Sequence, residues 1–175
     1  MLQIDVDGLL FEFPDRWIAS KYDEWKFYRD HWSRMWNEIK AVDVIAVDPA
    51  RTGWRIEVKD YTQMKYDQDE RPAATDLGQV VAKKIFDTLA AMLPARLNAI
   101  DHGERNAALL IAGSVKLRVV LHLEQPATKS RLRTRAIDPA NIRQKLRQLI
   151  KPIDPHPAVT AMAQMDRVPW HVVRA

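Results

Sequence analysis

Cysteine is absent from the 175 residues. That excludes a disulfide framework and a thiolate zinc site, and it suits a reducing cytoplasm, which is the expected location. Glycine occurs only five times, and no Walker loop, glycine-rich dinucleotide turn, H-E-x-x-H pair or nucleophile elbow is present. No apolar run is long enough to span a membrane, and the chain opens directly on an alternating strand, so neither a signal peptide nor a membrane partner is expected. Internal repeats and low-complexity segments are also missing.

What is present is a chain of a length suited to one domain with a sizeable core, 1–175. Its charge is unevenly spread. Residues 1–70 hold 10 Lys/Arg against 15 Asp/Glu, whereas residues 71–175 hold 17 against 8. Within the second part, Lys116 to Lys151 carries 10 basic and 2 acidic residues. A basic region facing a polyanion explains this imbalance, and so does a solvated basic surface.

The most informative stretch is Ala41 to Tyr61, AVDVIAVDPARTGWRIEVKDY. Val42 to Val47 is apolar and β-branched apart from Asp43. Trp54 to Lys59 alternates, with Trp54, Ile56 and Val58 on one face and Arg55, Glu57 and Lys59 on the other. Asp48 to Gly53 supplies the proline and glycine of a turn, so an antiparallel hairpin is predicted. With the turn centred near Arg51, Asp43 faces Lys59 and has Glu57 as its diagonal neighbour. A carboxylate inside an apolar strand is costly unless it is paired. Two carboxylates and an ammonium converging on one side of a hairpin offer a hard divalent cation its oxygen donors. A surface hairpin with ordinary cross-strand ion pairs would explain Arg55, Glu57 and Lys59, but it leaves Asp43 without a reason.

Asp43, a spacer, then Glu57-Val58-Lys59 resembles the signature of the PD-(D/E)XK nuclease superfamily, with Val42 where the eponymous proline stands. The resemblance covers mainly residues 20–125. It implies an α/β fold, a restriction-endonuclease-like mixed sheet flanked by helices, here with an N-terminal β-hairpin elaboration. It also implies hydrolysis of nucleic-acid phosphodiesters with Mg²⁺ or Mn²⁺. Asp43 and Glu57 would ligate the metal, with the Val58 carbonyl a further donor, and Lys59 would act on the attacking water. Glu24 is the match for a first-helix carboxylate in the metal shell, and Gln79 for a supporting glutamine one helix after the E-x-K. DNA is the expected polymer. A catalytically inactive nucleic-acid-binding or protein-interaction module on the same fold is the alternative, and a homodimer or protein partner is compatible with either.

Elsewhere, Asp7-Gly8 between Leu2–Val6 and Leu9–Phe13 predicts a hairpin. Ser20 reads as the N-cap of a helix to about Lys40, with Tyr22, Trp25, Tyr28, Trp32, Met35, Trp36 and Ile39 as an aromatic stripe that serves the core rather than base stacking. Residues 61–75 read as a loop. A helix is expected from Thr75 or Asp76 to about Leu93, on the buried line Leu77, Val81, Ile85, Leu89 and Met92. Val119 to Leu123 reads as a core strand that carries His122 and Glu124 toward a polar strand end. Asp138-Pro139 starts a helix through about Lys151. The basic loop and helix of about 126–151, through Arg131, Arg133, Arg135, Arg143 and Arg147, are the expected contact with nucleic-acid phosphates.

Overall fold

The computed structural model describes residues 1–62, 73–126 and 137–175. Eight strands run β1 (Leu2–Val6), β2 (Leu9–Phe13), β3 (Ile18–Lys21), β4 (Val44–Val47), β5 (Thr52–Asp60), β6 (Lys116–Glu124), β7 (Ala158–Thr160) and β8 (His171–Arg174). Three helices, α1 (Ala74–Asn98), α2 (His102–Ala112) and α3 (Pro139–Ile150), complete the regular structure together with short helical turns between Tyr22 and Arg34. The class is α/β. Among the described residues, no helix is long and apolar enough to cross a membrane.

The central sheet has the order β3-β4-β5-β6-β7. Its first three strands pair antiparallel, while β5, β6 and β7 run parallel. The return from β5 to a parallel β6 requires a crossover, which α1 and α2 provide. Alternation along the strands then makes two cores. Ile45, Val47, Val119, Leu121 and Leu123 face the helices, whereas Val44, Ala46, Trp54, Ile56, Val58 and Val120 face the small antiparallel sheet β1-β2-β8. Trp170 anchors the second core, with ring centroids 5.1 Å from Trp54, 5.5 Å from Phe13 and 5.9 Å from Trp17. The Asp7-Gly8 hairpin forms as expected, with both residues at positive φ and the Asp5 carboxylate accepting from the Gly8 N–H.

The β4–β5 hairpin forms too, with a shifted register. Val44 lies opposite Ile56, where the parity argument had Val58. The turn is the cause. Asp48 O accepts from Arg51 N, Arg51 adopts φ 61, and Asp48 N donates to Thr52 O, which closes a three-residue loop centred on Ala50, one position earlier than expected. A two-residue shift preserves parity, so every side chain keeps its predicted face.

The helix expected from Ser20 to Lys40 is not formed. Ser20 belongs to β3, and its hydroxyl accepts from the Trp25 indole N–H at 2.7 Å instead of capping a helix. Trp25 is extended (ψ 135) and His31 leaves the helical region, so the segment breaks into 3₁₀ and π turns. Glu104, in the first turn of α2, accepts from the backbone N–H groups of Lys26 (2.7 Å) and Phe27 (3.1 Å). The aromatic stripe splits accordingly. Tyr22, Trp25 and Phe27 are buried, but Met35 and Trp36 are 68% and 78% exposed. In contrast, α1 outruns its expected end and carries Pro94 inside it.

Because Glu104 is the carboxylate that holds the turn after Trp25, Glu104→Ala should lower unfolding free energy by about 1.5–3 kcal/mol, the usual range for hydrogen bonds to a charged group. Urea denaturation followed by tryptophan fluorescence measures this. A loss below about 0.5 kcal/mol would show that the segment holds itself.

Candidate active site: a carboxylate pair bridged by lysines

Asp43 precedes β4 directly, and its backbone carbonyl accepts from Tyr22 N at 2.8 Å. Its carboxylate turns toward β5, where Oδ2 accepts from the Val58 N–H at 2.6 Å. Glu57 projects from β5 on the helix-facing side and is fully buried. Lys59, two residues on and therefore on the same face, places Nζ 2.6 Å from Glu57 Oε1. Asp43, Glu57 and Lys59 thus share one face, but the shifted register sets Asp43 level with Glu57 rather than with Lys59, the residue expected opposite it.

A fourth member comes from α1. Lys84 Nζ lies 2.6 Å from the same Glu57 Oε1 and 3.9 Å from Asp43 Oδ1, so one ammonium bridges both carboxylates. The remaining oxygen, Glu57 Oε2, is buried and has no hydrogen-bond partner among the described residues. A fifth member is Asp23. It is half-buried, its Oδ1 is likewise without a partner, and the charge of Asp43 acts on it. Lys59 and Lys84 thus neutralise Glu57, Lys84 also reaches Asp43, and Asp23 adds a third negative charge in the neighbourhood.

The electrostatics follow from burial. Loss of solvent, and next the negative charge of Asp43, push the Glu57 carboxyl above its ordinary value in spite of Lys59 and Lys84. Asp23 is raised for the same two reasons, in the same order. For Lys59, burial acts downward, but the Glu57 carboxylate outweighs it and holds the ammonium above its usual range.

Other predicted positions lie elsewhere. Glu24 is exposed and paired with Lys21 at 2.9 Å, because the continuous helix that would have aimed it inward does not form. Gln79 is exposed on α1. Arg143 and Arg147 sit on α3, half-buried and exposed respectively. Arg131, Arg133 and Arg135 lie outside the described residues. His122 is fully buried, with Nε2 2.9 Å from Glu124 Oε1 but out of hydrogen-bond alignment, and Nδ1 3.4 Å from the Thr160 hydroxyl. Burial would raise Glu124, yet His122 and the Met162 N–H together hold it below its usual value. His122 is wholly buried and Glu124 nearly so, at the end of β6.

Two contributors escaped sequence reading. Lys84 follows Lys83 directly, and only the packed helix shows that Lys83 turns out to Asp87 while Lys84 turns in. Asp23 lies in the stretch expected to be one continuous helix, and the short turn Tyr22–Glu24 formed there instead leaves it half-buried within range of the Asp43 charge. Arg55 adds a further oddity on the same face. It is 1% exposed, its Nε and Nη1 lack hydrogen-bond partners among the described residues, and burial lowers it to about 10.

As a metal centre, the group has the right chemistry but an incomplete shell. The donors are carboxylate oxygens, which suit a hard cation, and two of them are unpartnered. Among the described residues, however, no three His, Asp or Glu side chains stand close enough together to form a ready-made metal-ligating group. The residues fit a divalent cation provided that the Lys84 ammonium gives way.

No family profile matches the chain, and no solved structure matches it. The chain is similar to a cysteine–tRNA ligase of Neisseria meningitidis serogroup A / serotype 4A (strain DSM 15465 / Z2491), with 27% identity over 208 aligned positions. That alignment covers 98% of this chain and 30% of the ligase, so the chain spans less than a third of the length of this curated relative.

Proposed function

We propose that the protein is a metal-dependent nuclease of the PD-(D/E)XK, restriction-endonuclease-like type that hydrolyses nucleic-acid phosphodiester bonds. The observation that carries this reading is that Asp43, Glu57 and Lys59 stand on one face of the hairpin, with Lys59 against Glu57 Oε1 and the buried Glu57 Oε2 left without a hydrogen-bond partner among the described residues. The strand order supports it: β4 and β5 form the hairpin that bears the acidic pair and the lysine, and β6 returns parallel after a helical crossover.

In this reading Asp43 and Glu57 hold Mg²⁺ or Mn²⁺, and Asp23 replaces Glu24 as the third carboxylate near the site. A bound divalent cation would supply Lewis-acid charge and a more acidic water. The Val58 N–H fixes the Asp43 carboxylate in place. Lys59, raised and therefore cationic at neutral pH, orients water or phosphate and offsets developing negative charge. DNA is the proposed substrate, and tRNA belongs beside it because the similar ligase is named for tRNA. The bridging ammonium of Lys84 favours a second reading, an inactive nucleic-acid-binding or protein-interaction module in which lysines permanently replace the metal.

Three measurements separate these readings. Millimolar Mn²⁺ or Mg²⁺ should raise the melting temperature of the wild type, with a stabilisation of about 2.7 kcal/mol at a hundredfold excess over Kd. Asp43→Asn should abolish the shift together with cleavage of single-stranded, duplex and tRNA substrates. No shift in the wild type would leave the inactive module.

Lys59→Arg should keep the metal-induced shift and lose cleavage, since the planar guanidinium cannot reproduce the point charge of an ammonium. Full activity in that variant would reduce Lys59 to a counter-charge.

Lys84→Met removes one of two cations from a buried carboxylate and should cost about 3–5 kcal/mol without metal. If metal displaces Lys84, the variant should regain stability with Mn²⁺ and bind it more tightly than the wild type does. The pH dependence has a definite sign. Raised carboxyls bind more protons folded than unfolded, so Glu57 and Asp23 stabilise the metal-free fold at low pH. That contribution is lost as pH rises from the ordinary carboxyl range through their raised values. Thermal melts from pH 4 upward should show this slope flattened in Glu57→Gln, and an unchanged slope would place the effect elsewhere.

A further inference from the structure

On the far side of β6 from Glu57, a cleft of about 770 Å³ opens between α3 and the segment before β7. Arg143 and Arg147 stand one turn apart on the α3 wall, Arg118 on β6 and His156 line it from the sheet side, and Arg167 completes the lining. No Asp or Glu is among the residues that line it. Two like charges at i and i+4 repel each other, and among the described residues Arg143, Arg147 and Arg167 make no ion pair that would relieve this.

Of the carboxylates around the cleft, Asp138 and Asp166 line an adjoining depression with Arg143 and Arg167 but form no ion pair with them among the described residues, and Asp154, beside Arg118, is already engaged. Asp154 is 1% exposed, and its oxygens accept from the backbone N–H groups of Val119 and His156, each at 2.8 Å. Arg118 Nε is 3.6 Å from Asp154 Oδ2, an ion pair too long for a hydrogen bond, and this buried N–H has no hydrogen-bond acceptor among the described residues. The guanidinium carbon of Arg118 lies 5.9 Å from the Trp54 ring centre, which holds the side chain in place. The prolines Pro155 and Pro157 stiffen the wall around His156. The cleft is thus a concave cluster of four arginines, of which, among the described residues, Arg118 alone is ion-paired with a carboxylate.

The geometry points to a phosphate-binding site for a nucleic-acid strand, built from Arg118, Arg143, Arg147 and Arg167. Guanidinium forks match phosphate oxygens in pairs, and the turn between Arg143 and Arg147 sets about 6 Å between their backbones along the helix, so that each can meet its own phosphate. The assignment rests on nucleic acid being the substrate, and it adds the surface that grips the strand away from the carboxylates.

The test is fluorescence anisotropy of a labelled single-stranded oligonucleotide, titrated at several salt concentrations, with the full chain and the triple variant Arg143→Gln/Arg147→Gln/Arg167→Gln. Ile142, Leu146 and Ile150 anchor α3 from its other face, so the variant should melt like the wild type. Each lost contact should reduce the slope of log K against log salt by about 0.7, giving about two units for the triple variant. A control with Arg29, Lys40 and Arg96 changed to Gln, exposed cations elsewhere, should keep the wild-type slope. An unchanged slope in the cleft variant, or an equal loss in the control, would overturn the site. Inorganic pyrophosphate raising the melting temperature of the wild type without any oligonucleotide binding would overturn the strand as ligand. The Mn²⁺-induced melting shift should persist in the cleft variant, so failure of the metal site and failure of the cleft are read separately.

Discussion

A carboxylate with no solvent exposure in the middle of a sheet strand is the constraint around which the helix layer is arranged. Glu57 has to be neutralised where it stands, and the sheet supplies only Lys59. The second cation must come from the layer above, which sets the position of α1 along β5. Three side chains within about one turn of α1 make the same attachment. Lys84 reaches Glu57 and Asp43, Asp87 accepts from the Lys40 N–H at 2.7 Å, and Thr88 accepts from the Val42 N–H at 3.2 Å. The chain entering β4 is thereby tied to the helix just before Asp43. Removal of one partner leaves the others with buried polar groups unsatisfied, which is why such networks fail as units.

The same dependence explains what could be read before folding was considered and what could not. Alternation over Trp54–Lys59 and the lone Asp43 in an apolar run placed three charges on one face correctly, because strand periodicity survives a shift of two residues. The turn was placed one residue too late because Gly53 was counted into it, whereas Arg51 took the positive φ and Gly53 belongs to β5. Helical periodicity from Tyr22 to Ile39 was real in the sequence but lost in the fold. Contacts distant in sequence, from Glu104 to Lys26 and Phe27, were better satisfied by short turns than by one helix. Local pattern carries no information about a partner 77 residues away.

Adjacent lysines show the limit most plainly. Lys83 and Lys84 are chemically identical, and each has a carboxylate within 2.6 Å, yet one is a surface pair and the other completes the central cluster. The difference is angular, one residue around a helix, and becomes decidable only once Val81, Ile85 and Thr88 are known to face the sheet. The arginine cleft was hidden differently. Arg143 and Arg147 stood out on the basic helix, but only the fold brings Arg118 of β6 and Arg167 from the segment after β7 to the same wall.

On the nuclease reading, the bridging ammonium also determines how the site answers to metal. A cation already sits against Glu57 Oε1, so a dication gains only the difference between its own interactions and those that Lys84 surrenders. Apparent metal affinity is then lower than the carboxylates alone would give, and it rises with pH, because the raised Glu57 and Asp23 release their protons more easily when a dication takes over the charge. A displaced Lys84 need not leave the site. Its flexible stem allows the ammonium to swing toward a bound phosphate, where a point charge is as useful as it was between two carboxylates. One residue on α1 would thus hold the fold closed without metal and stand beside the reacting phosphate with it, which ties stability and chemistry to a single side-chain movement.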